Sequence, residues 1–170
     1  MDMATQEYAD VMPLQLTGRL ATRQDTPIGD RCPIDRTFQA FGNRTAMLLL
    51  REAFYGATRF DQLVKRVGVT EAVASQRLKE LVSAGVLAKQ PYQEPGQRTR
   101  YEYVLTEAGH ALMPMLLGFM DWGATYLPYG SGRQTRGSHA GCGAPVHVSV
   151  RCEAGHEVPE DDVVITGSDV

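Results

Sequence analysis

Residues 58–105 constrain the fold more than any other stretch of this 170-residue chain. Residues 58–87 read TRFDQLVKRVGVTEAVASQRLKELVSAGVL, the pattern of two short amphipathic helices joined at Gly68-Val69. Thr58, with Asp61 three residues on, matches a capping box, and Phe60, Leu63, Val64 and Val67 supply the apolar stripe behind it. Thr70 is placed to cap the second helix, and Glu71 suits its positive N-terminal end. At about 100° per residue, Val73, Ala74, Leu78, Leu81 and Val82 share one face of that helix. Ala72, Ser75, Gln76, Lys79 and Ser83 share the opposite face, which is small and hydrogen-bonding. A helix that enters a DNA major groove and touches base edges needs such a face. Gly85 stops the helix. Residues 86–92 and 100–105 then read as two strands around Glu94-Pro95-Gly96, with Arg98 and Arg100 on the return. Helix, turn, helix and a basic β-hairpin wing make a DNA-reading unit. A helical hairpin that only packs would explain the helices but not the basic wing.

The net charge of −3 looks wrong for such a unit, but its distribution does not. Residues 44–100 carry ten Lys/Arg against five Asp/Glu, while the flanks on both sides are acidic. Non-specific DNA affinity follows a local basic patch rather than the total. No apolar run approaches the ~20 residues needed to span a membrane, and the N-terminus lacks a basic-then-apolar secretory pattern. A cytoplasmic location is expected. There, three cysteines (Cys32, Cys142, Cys152) argue against a disulfide scaffold.

Along the chain, residues 1–31 show no sustained period. Pro13 interrupts a short apolar set at Tyr8, Val11, Met12 and Leu14, and residues 26–30 read as a loop. This segment is either a leader without structure or an arm that packs across a partner copy. Pro33 favours the first position of a helix, which puts Cys32 at its N-cap. A thiol at a helix N-terminus ionises more readily, and Arg31 and Arg36 lie close in sequence, so Cys32 is a candidate redox or electrophile sensor. The bland reading is a half-buried cap with no further role. Ile34, Phe38 and Phe41 give this helix one buried face, Thr45 is a cap for the next helix, and Met47, Leu48, Leu49, Leu50 and Phe54 are its core residues. Residues 57–60 are read as a short third strand beside the wing. A long helix from Thr106 to about Tyr126 is apolar over much of its surface through Leu112, Met115, Leu116, Phe119, Met120 and Trp122, with a kink or break at Pro114. Its aromatic and Met lining is either ordinary core or a ligand pocket.

Residues 32–126 resemble the HxlR-type winged helix-turn-helix regulators of bacteria. The resemblance rests on CPIDRTFQAFGNRTAMLLLREAFYGATRFDQL, on SQRLKELVSAGVL, and on RYEYVLTEAGHALMPML followed by DWG. It implies a dimeric, DNA-binding transcriptional regulator, with the first and last helices packed against a second copy and an interface through Phe38, Phe41, Leu116, Phe119 and Trp122. Several members of the family sense through the cysteine equivalent to Cys32. Where the family pattern has Gly-Lys-Trp, this chain has Asn43-Arg44-Thr45. Arg44 stands in for the Lys as a phosphate contact, and the missing Trp changes local packing.

The expected architecture is therefore α+β: a winged helix-turn-helix with a long C-terminal dimerisation helix and a small C-terminal β-rich tail. Residues 1–31 form the arm, 32–127 the DNA-binding and dimerisation domain, 128–144 a linker and 145–170 a small hairpin. In the tail, residues 145–152 alternate as a half-buried strand does, and residues 163–166 are its expected partner. His139 with Cys142, and Cys152 with His156, stand at zinc-like spacing, but each pair mixes ligand types where a sound ribbon has Cys-x-x-Cys. A metal-free hairpin is the reading adopted, with a zinc-ribbon remnant as the alternative and no other cofactor expected. The expected function is operator binding by a homodimer on double-stranded DNA, open to a redox or small-molecule effector. Gln76 suits adenine, Lys79 guanine or phosphate, and Ser75 is permissive. Arg77 lies on the flank towards a phosphate or an acidic partner, and Arg98 and Arg100 follow the backbone or minor groove. The alternative is a winged helix that binds only protein. No Ser-His-Asp set, Gly-rich phosphate loop or paired-carboxylate pattern speaks for an enzyme.

Overall fold

The computed structural model describes residues 14–22, 32–128 and 135–167. In chain order its elements are β1 (Gln15–Gly18), α1 (Pro33–Phe41), α2 (Arg44–Phe54), α3 (Phe60–Val67), α4 (Glu71–Ser83), β2 (Leu87–Tyr92), β3 (Arg100–Leu105), α5 (Glu107–His110), α6 (Met113–Tyr126) and β4 (Val164–Gly167). They belong to two compact units, one from residues 28–147 and one that joins residues 1–27 to residues 148–170. The readings made for residues 1–13 and 23–31, and for residues 129–134 of the expected linker, lie outside the described residues. Among the described residues no helix is long and apolar enough to cross a membrane.

The larger unit is a winged helix-turn-helix. Ala46, Leu49 and Leu50 of α2, Leu63 of α3, Leu78 and Leu81 of α4, and Val86 and Leu87 at the entry to the wing are buried together. Leu49, Leu50, Leu63, Leu78 and Leu81 come from the apolar sets read in the helices, Val86 and Leu87 from the expected first strand of the wing, and burial of each large side chain contributes on the order of 1.5–3 kcal/mol. Glu52 is the one buried charged residue among those described. Its carboxylate accepts from Arg51 Nε at 3.1 Å and lies 3.8 Å from Arg66 Nη1, which ties α2 to the last turn of α3. Gly68 ends α3 at φ +71°, a conformation that suits glycine, and Thr70 Oγ1 accepts from the Val73 N–H at 3.4 Å to open α4.

Two expected caps are corrected. Thr58 does not cap α3; Arg59 holds that position without a side-chain bond. The Thr58 carbonyl instead accepts the Tyr103 N–H at 2.8 Å, and Arg59 forms a single bridge with Glu102, so this segment meets the two-stranded wing at one point rather than as the short third strand expected. α2 is capped by Asn43 rather than Thr45: Asn43 Oδ1 accepts from the Ala46 N–H at 2.9 Å, and the helix starts at Arg44. Asn43 follows the chain reversal at Gly42 directly, so it meets the first free amides before Thr45 does. Pro114 splits the C-terminal helix as expected. α5 ends at His110, and α6 restarts at Met113 with the proline in its first turn, where the missing N–H has no intrahelical partner to lose.

In the smaller unit β1 and β4 pair in parallel, Gln15 opposite Val164 through Gly18 opposite Gly167, with Thr17 Oγ1 2.8 Å from Thr166 Oγ1. Residues 163–166 thus take their partner from near the start of the chain, not from residues 145–152 as expected. The alternating stretch is extended but builds no ladder. Only single bridges flank it, Ser138 with Pro145 in the larger unit and Arg151 with Glu157 in the smaller one, and Val148 and Val150 stay exposed. Alternation marks an extended backbone; it does not name the strand's neighbour.

Candidate nucleic-acid interface

α4 turns Ala74, Leu78 and Leu81 inward, which leaves Gln76, Lys79 and Ser83 exposed and Ser75 half-buried on the outer side. Val73, in the first turn of α4, departs from the expected inner face and is 41 % exposed. Arg77 is pinned: its Nη1 donates to both Glu80 oxygens, at 2.7 and 2.8 Å. Gln76 Nε2 donates to Glu80 Oε1 at 3.1 Å. The Arg77 guanidinium, and after it the Gln76 amide, hold the Glu80 carboxyl below its usual range. Lys79 makes no such bond and is the free cation of this face among the described residues. A shallow hollow of about 360 Å³ runs beside Gln76, Lys79, Glu80, Ser83 and Ala84 to Ala40 at the end of α1.

The wing is β2 and β3 in antiparallel register, Leu87 opposite Leu105 through Tyr92 opposite Arg100. The Gln97 N–H closes its turn onto the Glu94 carbonyl at 3.0 Å. Arg98 and Arg100 are exposed and unpaired among the described residues, as is Arg44 at the start of α2. Lys89 Nζ lies 4.2 Å from the Tyr101 ring centre, which adds a further cation to the hairpin. The sequence reading missed a latch. Arg59 Nη2 meets Glu94 Oε1 at 2.7 Å and the Arg59 guanidinium lies 4.9 Å from the Tyr92 ring centre. The Glu94 hydrogen bond raises the Arg59 pKa, so this contact holds a charged pair between the wing turn and the start of α3. The expected third strand was the available signal, since it brings Arg59 to the sheet.

Two helices expose apolar side chains. Ile34 and Phe38 on α1 are 69 % and 57 % exposed, and Phe119 and Trp122 on α6 are 52 % and 55 %. α6 buries none of its residues fully, although it is the most apolar helix of the chain. Two residues assigned to the expected dimer seam turn inward instead: Phe41 is part of the chain's own core, and Leu116 packs half-buried against it. Cys32 caps α1, half-buried, with Pro33 in the first turn; its thiol makes no bond to the helix amides. In the tail, His139 Nδ1 and Cys142 Sγ stand 3.2 Å apart, and both remaining cysteines are exposed. Cys152 and His156 close a separate turn in the smaller unit through the Cys152 N–H and the His156 carbonyl. Among the described residues no group of three or more His, Cys, Asp or Glu could hold a metal ion.

The model of the HxlR-like helix-turn-helix family matches residues 40–131. The chain is similar to Rv3095 of Mycobacterium tuberculosis, an uncharacterized HTH-type transcriptional regulator. The two are 35 % identical over 131 residues, which cover 76 % of this chain and 82 % of that one. Among solved structures, PA1607, a candidate transcription factor, has a TM-score of 0.69 at 29 % identity and covers 85 % of this chain and 97 % of its own. The redox regulator HypR in its oxidized form has a TM-score of 0.52 at 25 % identity, over 58 % of this chain and all of its own.

Proposed function

Because the chain belongs to the HxlR-like helix-turn-helix family of transcriptional regulators, we propose that α4 and the wing are the surfaces with which it grips double-stranded DNA. The observation that carries this is the pairing of an outer α4 face built from Gln76, Lys79 and half-buried Ser75 with a wing that holds Arg98 and Arg100 exposed and, among the described residues, unpaired. α4 enters the major groove. Gln76 addresses a base edge, Lys79 a guanine or phosphate, and Ser75 is permissive. Arg77, held by Glu80, supports from the flank, while Arg44, Arg98 and Arg100 contact the backbone. The protein works in the cytoplasm as a regulator, not as an enzyme.

Gln76→Ala should cost about 1–3 kcal/mol at the cognate site and relax base preference at one position. Lys79→Ala, as a phosphate contact, should weaken all sequences alike and lower the salt slope by about one. Fluorescence anisotropy on duplexes enriched from a random pool, across a salt series, measures both. Unchanged affinity and preference in both variants would remove α4 from the groove.

Two copies associate through the exposed faces of α1 and α6, which sets two recognition helices on a pseudo-palindromic operator. Cys32 lies at the start of α1 and so at the edge of that seam. It couples oxidants or electrophiles to DNA binding, a reading supported by its N-cap position and by the likeness to a redox regulator. Diamide should reduce operator affinity of the native chain and of Cys142→Ser, and leave Cys32→Ser unaffected. Cys142 is the necessary control, since His139 stands against it. Equal loss in native and Cys32→Ser chains would reduce Cys32 to a helix cap.

A further inference from the structure

We propose that Glu80 is a positioning residue for base recognition: it engages one N–H of Gln76 and so leaves that side chain fit to read adenine and unfit to grip guanine. The inference rests on groove reading by Gln76. Gln76 and Glu80 are one helical turn apart, and the Gln76 Nε2 to Glu80 Oε1 distance is 3.1 Å. A carboxylate only accepts, so the Gln76 amide cannot turn its oxygen towards Glu80; nitrogen must face the carboxylate and oxygen the other way. This settles an orientation that a free glutamine leaves open. It also commits one of the two N–H groups. When Glu80 takes the N–H that points away from Oε1, the other lies beside Oε1, and that edge matches the adenine N7 acceptor and N6 donor. Guanine offers two acceptors, O6 and N7, on the same groove edge. A free glutamine could meet both with its two N–H groups, but one held by Glu80 cannot.

Arg77 makes the arrangement durable. Its Nη1 reaches both carboxylate oxygens, at 2.7 and 2.8 Å, so Glu80 is held in place before DNA arrives. It also offsets a negative charge that would otherwise repel phosphates from the reading helix. The depressed ionisation range of Glu80 fits a carboxylate that keeps its charge, and hence its acceptor character, throughout the neutral range. Glu80 is thus the hub of three side chains on one turn of α4, and its effect on sequence preference passes through Gln76.

The test uses the full-length chain and duplexes selected from a random-sequence pool. The position that Gln76 reads is the one whose preference disappears in Gln76→Ala. At that position the native protein should prefer adenine. Glu80→Met, which keeps length and helix propensity but removes the acceptor, should lower the adenine-to-guanine binding ratio about tenfold, within the range of a bidentate contact. Glu80→Ala should do the same, and provides a second truncation where one variant folds poorly. Glu80→Gln keeps one acceptor oxygen but adds an N–H donor that no longer fixes the Gln76 orientation, so its ratio should fall between those of the native protein and Glu80→Met. In a Gln76→Ala background, Glu80→Met should add no further loss of discrimination, which a merely structural or electrostatic role would not predict. The proposal is overturned by a native ratio in folded Glu80→Met, by a loss that persists without Gln76, or by a preferred base other than adenine. A Gln76→Ala chain with every base preference intact would instead reject groove reading itself, and this inference with it.

Discussion

Trp122→Asp should convert the protein to a monomer and lower its affinity for a two-half-site operator by about 10²–10⁴-fold, the gain that linking two binding modules supplies. Trp122 and Phe119 lie on an α6 face that one chain leaves half exposed, and Ile34 and Phe38 do the same on α1. Apolar side chains of this size each contribute roughly 1.5–3 kcal/mol when fully buried, so four of them are an adequate core for an isologous seam. A two-fold axis presents each substitution twice, and α6 itself carries no Lys or Arg to meet a carboxylate removed from water. Affinity for a single half-site should change little, because α4 and the wing are built on a core that Trp122 does not join. Sedimentation equilibrium and anisotropy on full and half operators measure the two effects together. A Trp122→Asp chain that stays dimeric, or a monomer that binds the full operator normally, would exclude this face as the seam.

The helix-turn-helix was legible because its determinants are local. The stripes that bury Leu63, Leu78 and Leu81 lie within single helices, and Thr70 caps α4 from one residue away. The same local logic misassigned Thr58, whose carbonyl is taken by Tyr103 some forty-five positions later, a competition no capping box records. The pairing of β1 with β4 joins residues near opposite ends of the chain, and parallel partners leave no hairpin turn between them to read. The face of Phe41 was ambiguous for a related reason. Periodicity groups Ile34, Phe38 and Phe41 on one side of α1, but only the packed fold divides that side into a part that meets the chain's own core and a part left exposed. In the reading surface, residue types were evident and their coupling was not. Gln76, Arg77 and Glu80 stand at spacings that permit several pairings, and which donor meets which oxygen depends on rotamers. The Arg59–Glu94 latch needed both the Arg59–Glu102 bridge and the wing turn before either charge had a place.

Gly109→Ala should lower stability by about 1–3 kcal/mol or more, the range for added bulk in a packed site, and should do so through one carbonyl. A β-carbon at Gly109 would overlap the Val86 oxygen, a backbone atom that cannot swing away as a side chain does. Val86 is held from several directions. Its N–H donates to Leu81, its carbonyl accepts the Thr106 N–H at 3.2 Å and the Thr106 hydroxyl lies 3.1 Å from the same oxygen. Thr106 Oγ1 in turn caps α5 by accepting the Gly109 N–H at 3.0 Å. Relief of the clash therefore requires α5 to move off the start of β2, which breaks the cap and loosens the Val86 and Leu87 corner of the core together. The spacing of Thr106 and Gly109 is thereby explained: the threonine ties the new helix to the wing, and the glycine lets the two backbones approach. Because α6 follows α5 directly, the same shift would also disturb the seam proposed above between two copies. Chemical denaturation of Gly109→Ala and Thr106→Val should give a lower midpoint for both, with the larger fall for Gly109→Ala, and operator affinity should fall in step. A Gly109→Ala chain with a native midpoint would mean that the close approach to Val86 does not hold this junction together.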